Sequence, residues 1–526
     1  MKRSLAVLFV VLGVALTAGS AGAGDNDSGI KTDQGAMLRV ATGGSVTPII
    51  TAGETVKGVR FESLPDGISV HPRGQGAVDV YVNHETSTVP FPYTAAAGAA
   101  NNQNDFDNAQ VSRWRLNQNS GGVLNADWAI TSNLNFQRFC SNYLATAKEG
   151  FGRPILFTNE EATDFVNRTG QAWPPVAATE PPAQQAGVVV AHDIQSRETR
   201  VILGMGRHNH ENDVAIPGYG HPVVLSGDDT FTSNPAQSQL YSYMADSADA
   251  VWNDQGTLYG FKSDNAAVDD YYDFPIGSTM SVSGEFLQIP RAAATGTQTA
   301  LETASDTAHV FQFVRLEDIA YDKRPGKGNI VYIADTGRGA TSAGGNAFTS
   351  SNGRVWKMVL DPADPKKVLS LSILIEGDDA PVKTLDEIHQ PDNVETTQNG
   401  LFVTEDPGSS QQFPVGSDDP ASPNFDARAT TGRVWRYDLV AGTKAPVMWV
   451  DQSADEGSTD VDPQAKGNLG AWEATGVIDV SSIFGPGAFL VNVQAHTLWT
   501  ELQVAPDWTN KREGGQLLLV RLGPGA

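Results

Sequence analysis

The sequence predicts an all-β fold, a single β-propeller of about six blades with loop insertions. Three observations carry this. Short runs rich in Val, Ile, Tyr and Phe, bounded by Gly, Asp or Asn, recur along the chain, while amphipathic patterns at helical spacing are scarce. The runs follow one plan: an acidic residue opens a strand, a Gly or Asn turn follows, and a second apolar strand ends in one or two carboxylates. Two copies continue into a third strand that begins Gly-Arg-Val-Trp, at 353–356 and 432–435. One such module cannot bury both faces of its sheet, so the copies must pack around a common axis.

In chain order, residues 1–23 begin with Lys2 and Arg3, continue through an apolar run at 5–16 and end in Ala21-Gly22-Ala23. That is the plan of a secretory signal, so the protein is expected to be exported, secreted or periplasmic. The apolar run falls short of the roughly 20 residues a membrane helix needs, no later run reaches that length, and no membrane insertion is expected. Residues 24–35 are polar and expected to be disordered, and 36–526 form the propeller domain. The stretches 90–122, 173–185 and 407–428, rich in Ala, Asn, Gln, Pro or Ser, read as loops.

The clearest modules are PDNVETTQNGLFVTEDP at 391–407 with GRVWRYDL, and LEDIAYDKRPGKGNIVYIADTG at 316–337 with GRVWKMVLD. Looser copies are LPDGISV with VDVYVNHE, GRPILFTNEE with GVVVAHD, HENDVAIPG with HPVVLSGDD, and WEATGVIDV with AFLVNVQAH. Their first strands would line a central channel and set their end carboxylates at one mouth. Two packed β domains would not explain copies that run the whole length.

The 61 acidic residues outnumber the 36 basic ones, for a net charge of −25. Such a chain repels nucleic acid and anionic lipid, so neither is an expected partner. Carboxylates gathered at one mouth would repel each other strongly without a cation, which points to calcium. Cys140 is the single cysteine, so no intramolecular disulfide forms; a lone cysteine of this kind reads as a small buried hydrophobe.

FVRLED at 313–318, followed by VYIADT at 331–336, resembles the metal-dependent alkaline phosphatases of the PhoX type. LGMGRHNHEN, VVLSGDD, PDN, EATG and NVQAH appear in the matching order. The resemblance implies a six-bladed propeller whose channel mouth binds calcium and iron and a phosphate ester as its small-molecule substrate, in a monomer. It implies Glu211 and Glu317 as metal ligands with catalytic roles and Arg315 as the group that grips phosphate. Glu160, Glu161, Asn159 and Asp392 complete the implied ligand set. Asn159 stands where those phosphatases carry a cysteine, and an amide suits calcium through its carbonyl but not iron(III).

Two other readings follow from that departure: a non-catalytic propeller stabilised by calcium, with a binding or envelope role, and a calcium-dependent lactonase or esterase. His208, His210 and His221 near Glu211 lack the spacing of a zinc helix. His496 reads as a hydrogen-bonded structural histidine in preference to a proton donor, and Trp356 and Trp435 read as core packing. His84, Asp228, Asp335 and Glu405 would each close a turn if taken singly.

Overall fold

In the computed structural model, residues 28–87, 108–166, 168, 184–232, 235–338, 350, 352–378, 387–406, 431–451, 472–499 and 513–523 are described. They form an all-β fold whose sheets are arranged like the blades of a propeller. Residues 1–23, expected to be an export signal, and most of the stretches 90–122, 173–185 and 407–428, expected to be loops, lie outside these residues.

Six strands line the centre: β1 (Pro65–Gly74), β2 (Phe139–Ala145), β3 (His210–Ala215), β4 (Leu316–Tyr321), β5 (Pro391–Thr396) and β6 (Glu473–Asp479). Each contacts the next in chain order, and β6 contacts β1. Outward from β1 lie Ala77–His84, Gln110–Asn117 and Val123–Ile130, and from β2 lie Ile155–Glu160, Val189–Asp193 and Thr199–Ile202. From β5 run Leu401–Glu405, Arg433–Tyr437 and Lys444–Val450, and from β6 run Ala488–Trp499 and Glu513–Arg521. These two last sheets are completed by strands from the other end of the chain, Leu38–Val40 against Lys444–Val450 and Ser45–Thr51 against Glu513–Arg521. Backbone pairing between chain ends closes the ring without a disulfide.

The expectation of six separate blades is corrected in one respect. Four sheets stand alone, whereas the strands running outward from β3 and from β4 are joined through Ser281–Gln288 and Lys367–Glu376 into one ten-stranded sheet. Its terminal strands β3 and β4 lie side by side with no ladder between them, so the sheet nearly closes as a barrel. Buried Leu225, Leu240, Phe261, Phe286, Phe311, Trp356 and Leu371 fill it. Each such side chain contributes about 1.5–3 kcal/mol by leaving water. No sequence periodicity announces that two modules will share an outer edge.

Two further expectations change. Residues 28–35 are ordered where described: Ile30 bridges Val123 and the Thr32 amide donates to the Ile49 carbonyl. Within 90–122, Gln110–Asn117 is a strand in the interior of its sheet, because Ser112, Trp114 and Leu116 alternate into the core. The alternation had been masked by neighbouring Asn and Gln. Helix Gln298–Ala308, capped by the Thr297 hydroxyl accepting from the Ala300 amide, packs Leu301 against the third sheet's outer face.

A bulge recurs in the inner strands. In each of β1 to β5 the first residue pairs in register with its neighbouring strand and the ladder then slips, at Pro65/Ile68, Phe139/Asn142, His210/Asp213, Leu316/Ile319 and Pro391/Val394. Bulges break the alternation of a strand and re-aim its side chains. Here the two bulged residues look toward opposite ends of the channel. The entry to three of these strands is a left-handed turn on a non-glycine residue, Leu64, Arg138 and Gln390 at φ of 49°, 38° and 49°. That strained conformation fixes the direction in which Asp66, Cys140 and Asp392 leave the backbone.

Candidate functional site: an acidic channel mouth

The first bulged residue of each strand is Asp66, Cys140, Glu211, Glu317 and Asp392; Gly476 stands at that register in β6, which contributes Glu473 instead. The second strand of each module ends in a pair whose first member is turned into the sheet. Glu405 accepts from the Arg433 guanidinium and from Trp435 Nε1 at 2.9 Å. Asp335 accepts from the Arg315 amide and from Trp356 Nε1 at 3.1 Å, and burial raises its pKa to about 7. His84 sits between the Glu62 carbonyl and Ser112, and burial holds it neutral. The second member of the pair reaches the mouth, as Glu85, Glu161 and Asp406 do.

Three overlapping groups result, Asp66–Glu85–Cys140, Cys140–Glu161–Glu211 and Glu211–Glu317–Asp392; within each group the ligand atoms lie within 4.8 Å of one another. All seven side chains are buried. Burial, reinforced by neighbouring carboxylates and opposed at Glu161 by Arg138 and at Glu317 by Arg315, pushes the carboxyls of Asp66, Glu161, Glu211, Glu317 and Asp392 well above the usual range. The same causes hold Cys140 as a thiol. Asp66 Oδ1 and Glu211 Oε2 are buried and have no hydrogen-bond partner. Buried acceptors left without donors, in a ring of like charge, are the signature of a site built for a cation. These clusters of buried Asp, Glu and Cys therefore have the makings of a divalent-metal site, and the oxygen-only group Glu211–Glu317–Asp392 fits a hard ion.

Positive charge faces this ring within a cavity of about 240 Å³. Arg315 forks onto Asp229 with two 2.8 Å bonds and also bonds Glu317. Arg138 lies 3.4 Å from Glu161 and 4.0 Å from Glu85. The guanidiniums of Arg138, Arg315 and Arg338 surround the Phe231 ring at 6.0, 4.7 and 5.9 Å. His496 is held between Glu513 at 2.7 Å and Glu473 at 2.9 Å; burial lowers its pKa, but the two carboxylates outweigh that and raise it. Gln494 ties Asp66 to Glu85 with two 2.7 Å bonds.

Of the residues expected from sequence, Glu211, Glu317, Glu161 and Asp392 come together, with Arg315 against Glu317. Glu160 does not join them. It is turned into the sheet, where Arg168 donates to both its oxygens and the Gln137 amide adds a third bond. Asn159 is a brace whose Nδ2 donates to the Glu211 carbonyl at 2.9 Å. Cys140, read as a buried hydrophobe, is shared by two of the three groups. Asp66 and Cys140 share the module register of Glu317 and Asp392, since LPDG and RFCS align with RLED and QPDN. His208 and His210 stack at 3.5 Å inside the third module, and no histidine belongs to a candidate metal group among the described residues.

No family model and no curated protein matches the chain. Among solved structures it is similar to a NanB sialidase from Streptococcus pneumoniae at 7% identity, covering 88% of this chain and 68% of that one with a TM-score of 0.39. It is similar to a protein of unknown function from Dyadobacter fermentans at 8% identity, covering 92% and 100% with a TM-score of 0.42. An α-L-arabinofuranosidase from Fusarium graminearum matches at 9% identity, covering 87% and 93% with a TM-score of 0.40. At these TM-scores the likeness carries no argument about substrate.

The expectation of a PhoX-type phosphatase acting on phosphate esters is thereby overturned. No family model of that kind matches the chain, and none of the similar structures named above is identified as a phosphatase. The physical reason lies in the motifs themselves. FVRLED, VYIADT and PDN are the pieces with which this architecture closes a module, Asp335 accepting from the Val314 amide and Trp356 as Glu405 accepts from the His389 amide and Trp435. Their order along the chain repeats because the modules do.

Proposed function

We propose that this protein is a divalent-cation-binding propeller that captures a small anionic ligand at the acidic mouth of its channel. The observation that carries the reading is the chain of three overlapping groups from Asp66 to Asp392, delivered by the same bulge in five successive inner strands. Glu211, Glu317 and Asp392 would hold a hard ion, with calcium the first candidate, and Asp66, Glu85, Glu161 and Cys140 would serve the neighbouring positions. A bound cation supplies charge that offsets the carboxylates and attracts an anion. Arg138, Arg315 and Arg338 around Phe231 then offer that anion positive charge and an apolar face.

Two finer points belong to this reading. The ten-stranded sheet is taken as two blades fused along their outer strands, giving six, which the unbroken ring of β1 to β6 supports. Export is taken from residues 1–23; reporter fusions with and without that stretch test it by the compartment in which the product accumulates.

The central experiment is calorimetric titration of chelator-treated protein with calcium chloride, then manganese chloride, each followed by sodium sulfate. Saturable cation binding that is lost in Glu211→Gln, and sulfate binding only after the cation, are the expected results. Protein that takes up neither ion would end the reading.

A further inference from the structure

The second bulged residue of each inner strand looks the other way. Ser141, Asn212, Asp318 and Asn393 form the floor of a separate cavity of about 270 Å³ toward the opposite end of the channel. Their donors are already spent on the protein. Ser141 Oγ donates to Glu211 at 2.5 Å, and Asn393 Nδ2 donates to Ser141 Oγ at 3.2 Å. Asn212 Nδ2 donates to Asp318 Oδ1 at 2.6 Å. What remains is acceptor capacity. Asn212 Oδ1 is buried without a partner, on a side chain only 6% exposed. Asp318, also 6% exposed, brings a carboxylate beside it; its Oδ1 is filled by Asn212 and the Ile319 amide, while its Oδ2 accepts only from the Val394 amide and keeps room for one more donor.

The walls are apolar. Ile68, Val70, Leu144 and Ile478 rise from three of the inner strands, and Tyr321 adds an aromatic face. At the rim Lys323 is paired with Glu395, while Lys148 lies 4.9 Å over the Tyr321 ring, beside Glu149, Lys323 and Glu395. The carboxylates of Asp318, Glu149, Glu395 and Asp479 outnumber the two lysines. An acceptor floor, aliphatic walls and a negative balance suit a ligand with a cationic donor at one end and a hydrocarbon body. An anion would meet Asp318, and a neutral hydrocarbon would leave Asn212 Oδ1 buried and unsatisfied.

We propose that this cavity is a second binding site, for a small primary ammonium compound with an aliphatic body, its –NH₃⁺ group donating to Asn212 Oδ1 and Asp318. The site is distinct from the acidic mouth and does not depend on its cation.

Butylammonium chloride is the probe, titrated into the full chain by calorimetry with calcium present and again after chelation. 1-Butanol, the neutral isostere, and sodium chloride at equal ionic strength are the controls. The expected result is saturable binding of butylammonium in both states, with butanol at least about tenfold weaker because a charge-assisted hydrogen bond is lost. Asp318→Asn should weaken the amine by about tenfold or more while leaving butanol unchanged. Ile478→Phe, which fills the cavity from its wall, should abolish amine binding without changing calcium uptake; if that variant does not fold, Asp318→Asn decides alone. Absence of saturable amine binding, equal binding of butanol, or an amine isotherm that Asp318→Asn does not move would each overturn the site.

Discussion

The two ends of the channel are built from consecutive residues and have opposite characters. Asp66, Cys140, Glu211, Glu317 and Asp392 crowd together at one end, while Ser141, Asn212, Asp318 and Asn393, each one position later where present, meet the other. At the mouth, like charges accumulate with few donors among them, and repulsion pushes carboxyl pKa values upward. Past the bulge, the same strands spend their donors on one another and leave a quiet acceptor floor under aliphatic walls. The contrast teaches that a one-residue irregularity, repeated around a ring, can partition a channel into two chemistries that share a backbone.

Substitution at Glu211 breaks the comparison most severely, since two of the three groups share it. Glu211→Gln should eliminate the cation-linked rise in melting temperature, worth about 2.7 kcal/mol when calcium is a hundredfold above its Kd. The same substitution removes one buried repulsive charge, so the chelated variant should melt no lower than the chelated parent. Differential scanning calorimetry with and without calcium reads both effects, and a large loss of stability in chelated Glu211→Gln would show that the mouth is held by something other than charge.

Acidity sharpens the comparison next. Glu473 is raised from 4.5 to about 8 by burial and then by Asp406, and its neighbours at the mouth shift in the same direction. A carboxyl whose folded pKa lies above its unfolded value favours the folded state while protonated. That contribution is present below about 4.5 and is lost as the pH climbs toward about 8, at up to about 1.4 kcal/mol per proton per pH unit. Melting temperatures of the chelated protein should therefore fall across that window, and saturating calcium should flatten the slope. A pH profile identical in both states would remove the link between cation and carboxylates.

A smaller effect is expected from Cys140→Ser, which keeps the size of the side chain but not its softness. Calcium affinity should change by less than about threefold, whereas affinity for a thiophilic ion such as cadmium should fall by about tenfold or more. Competition titrations separate the two, and equal losses would mean that Cys140 shapes the mouth without touching the ion. The least change is expected from Lys148→Gln at the far rim. Removing that exposed ammonium should tighten butylammonium by about twofold to threefold and leave calcium uptake at the mouth untouched.

Much of this was legible in the amino-acid sequence. The recurring modules, the paired strand-end carboxylates and the twin Gly-Arg-Val-Trp strands determined an all-β, propeller-like chain with acidic groups at strand starts, because period-two patterning and turn chemistry are local properties. Glu211, Glu317, Glu161 and Asp392 were named through the resemblance to PhoX-type phosphatases, although each also sits at a strand start or strand end of a module. What the tertiary structure decided was partition. Glu160 and Glu161 are adjacent in sequence, yet one is clamped by Arg168 inside a sheet and the other faces the mouth. Cys140, unremarkable by type, is placed between carboxylates from other strands. Which of two neighbouring side chains meets the mouth depends on a slip in ladder register and on which strands close the ring, and both are set by pairings between segments distant along the chain.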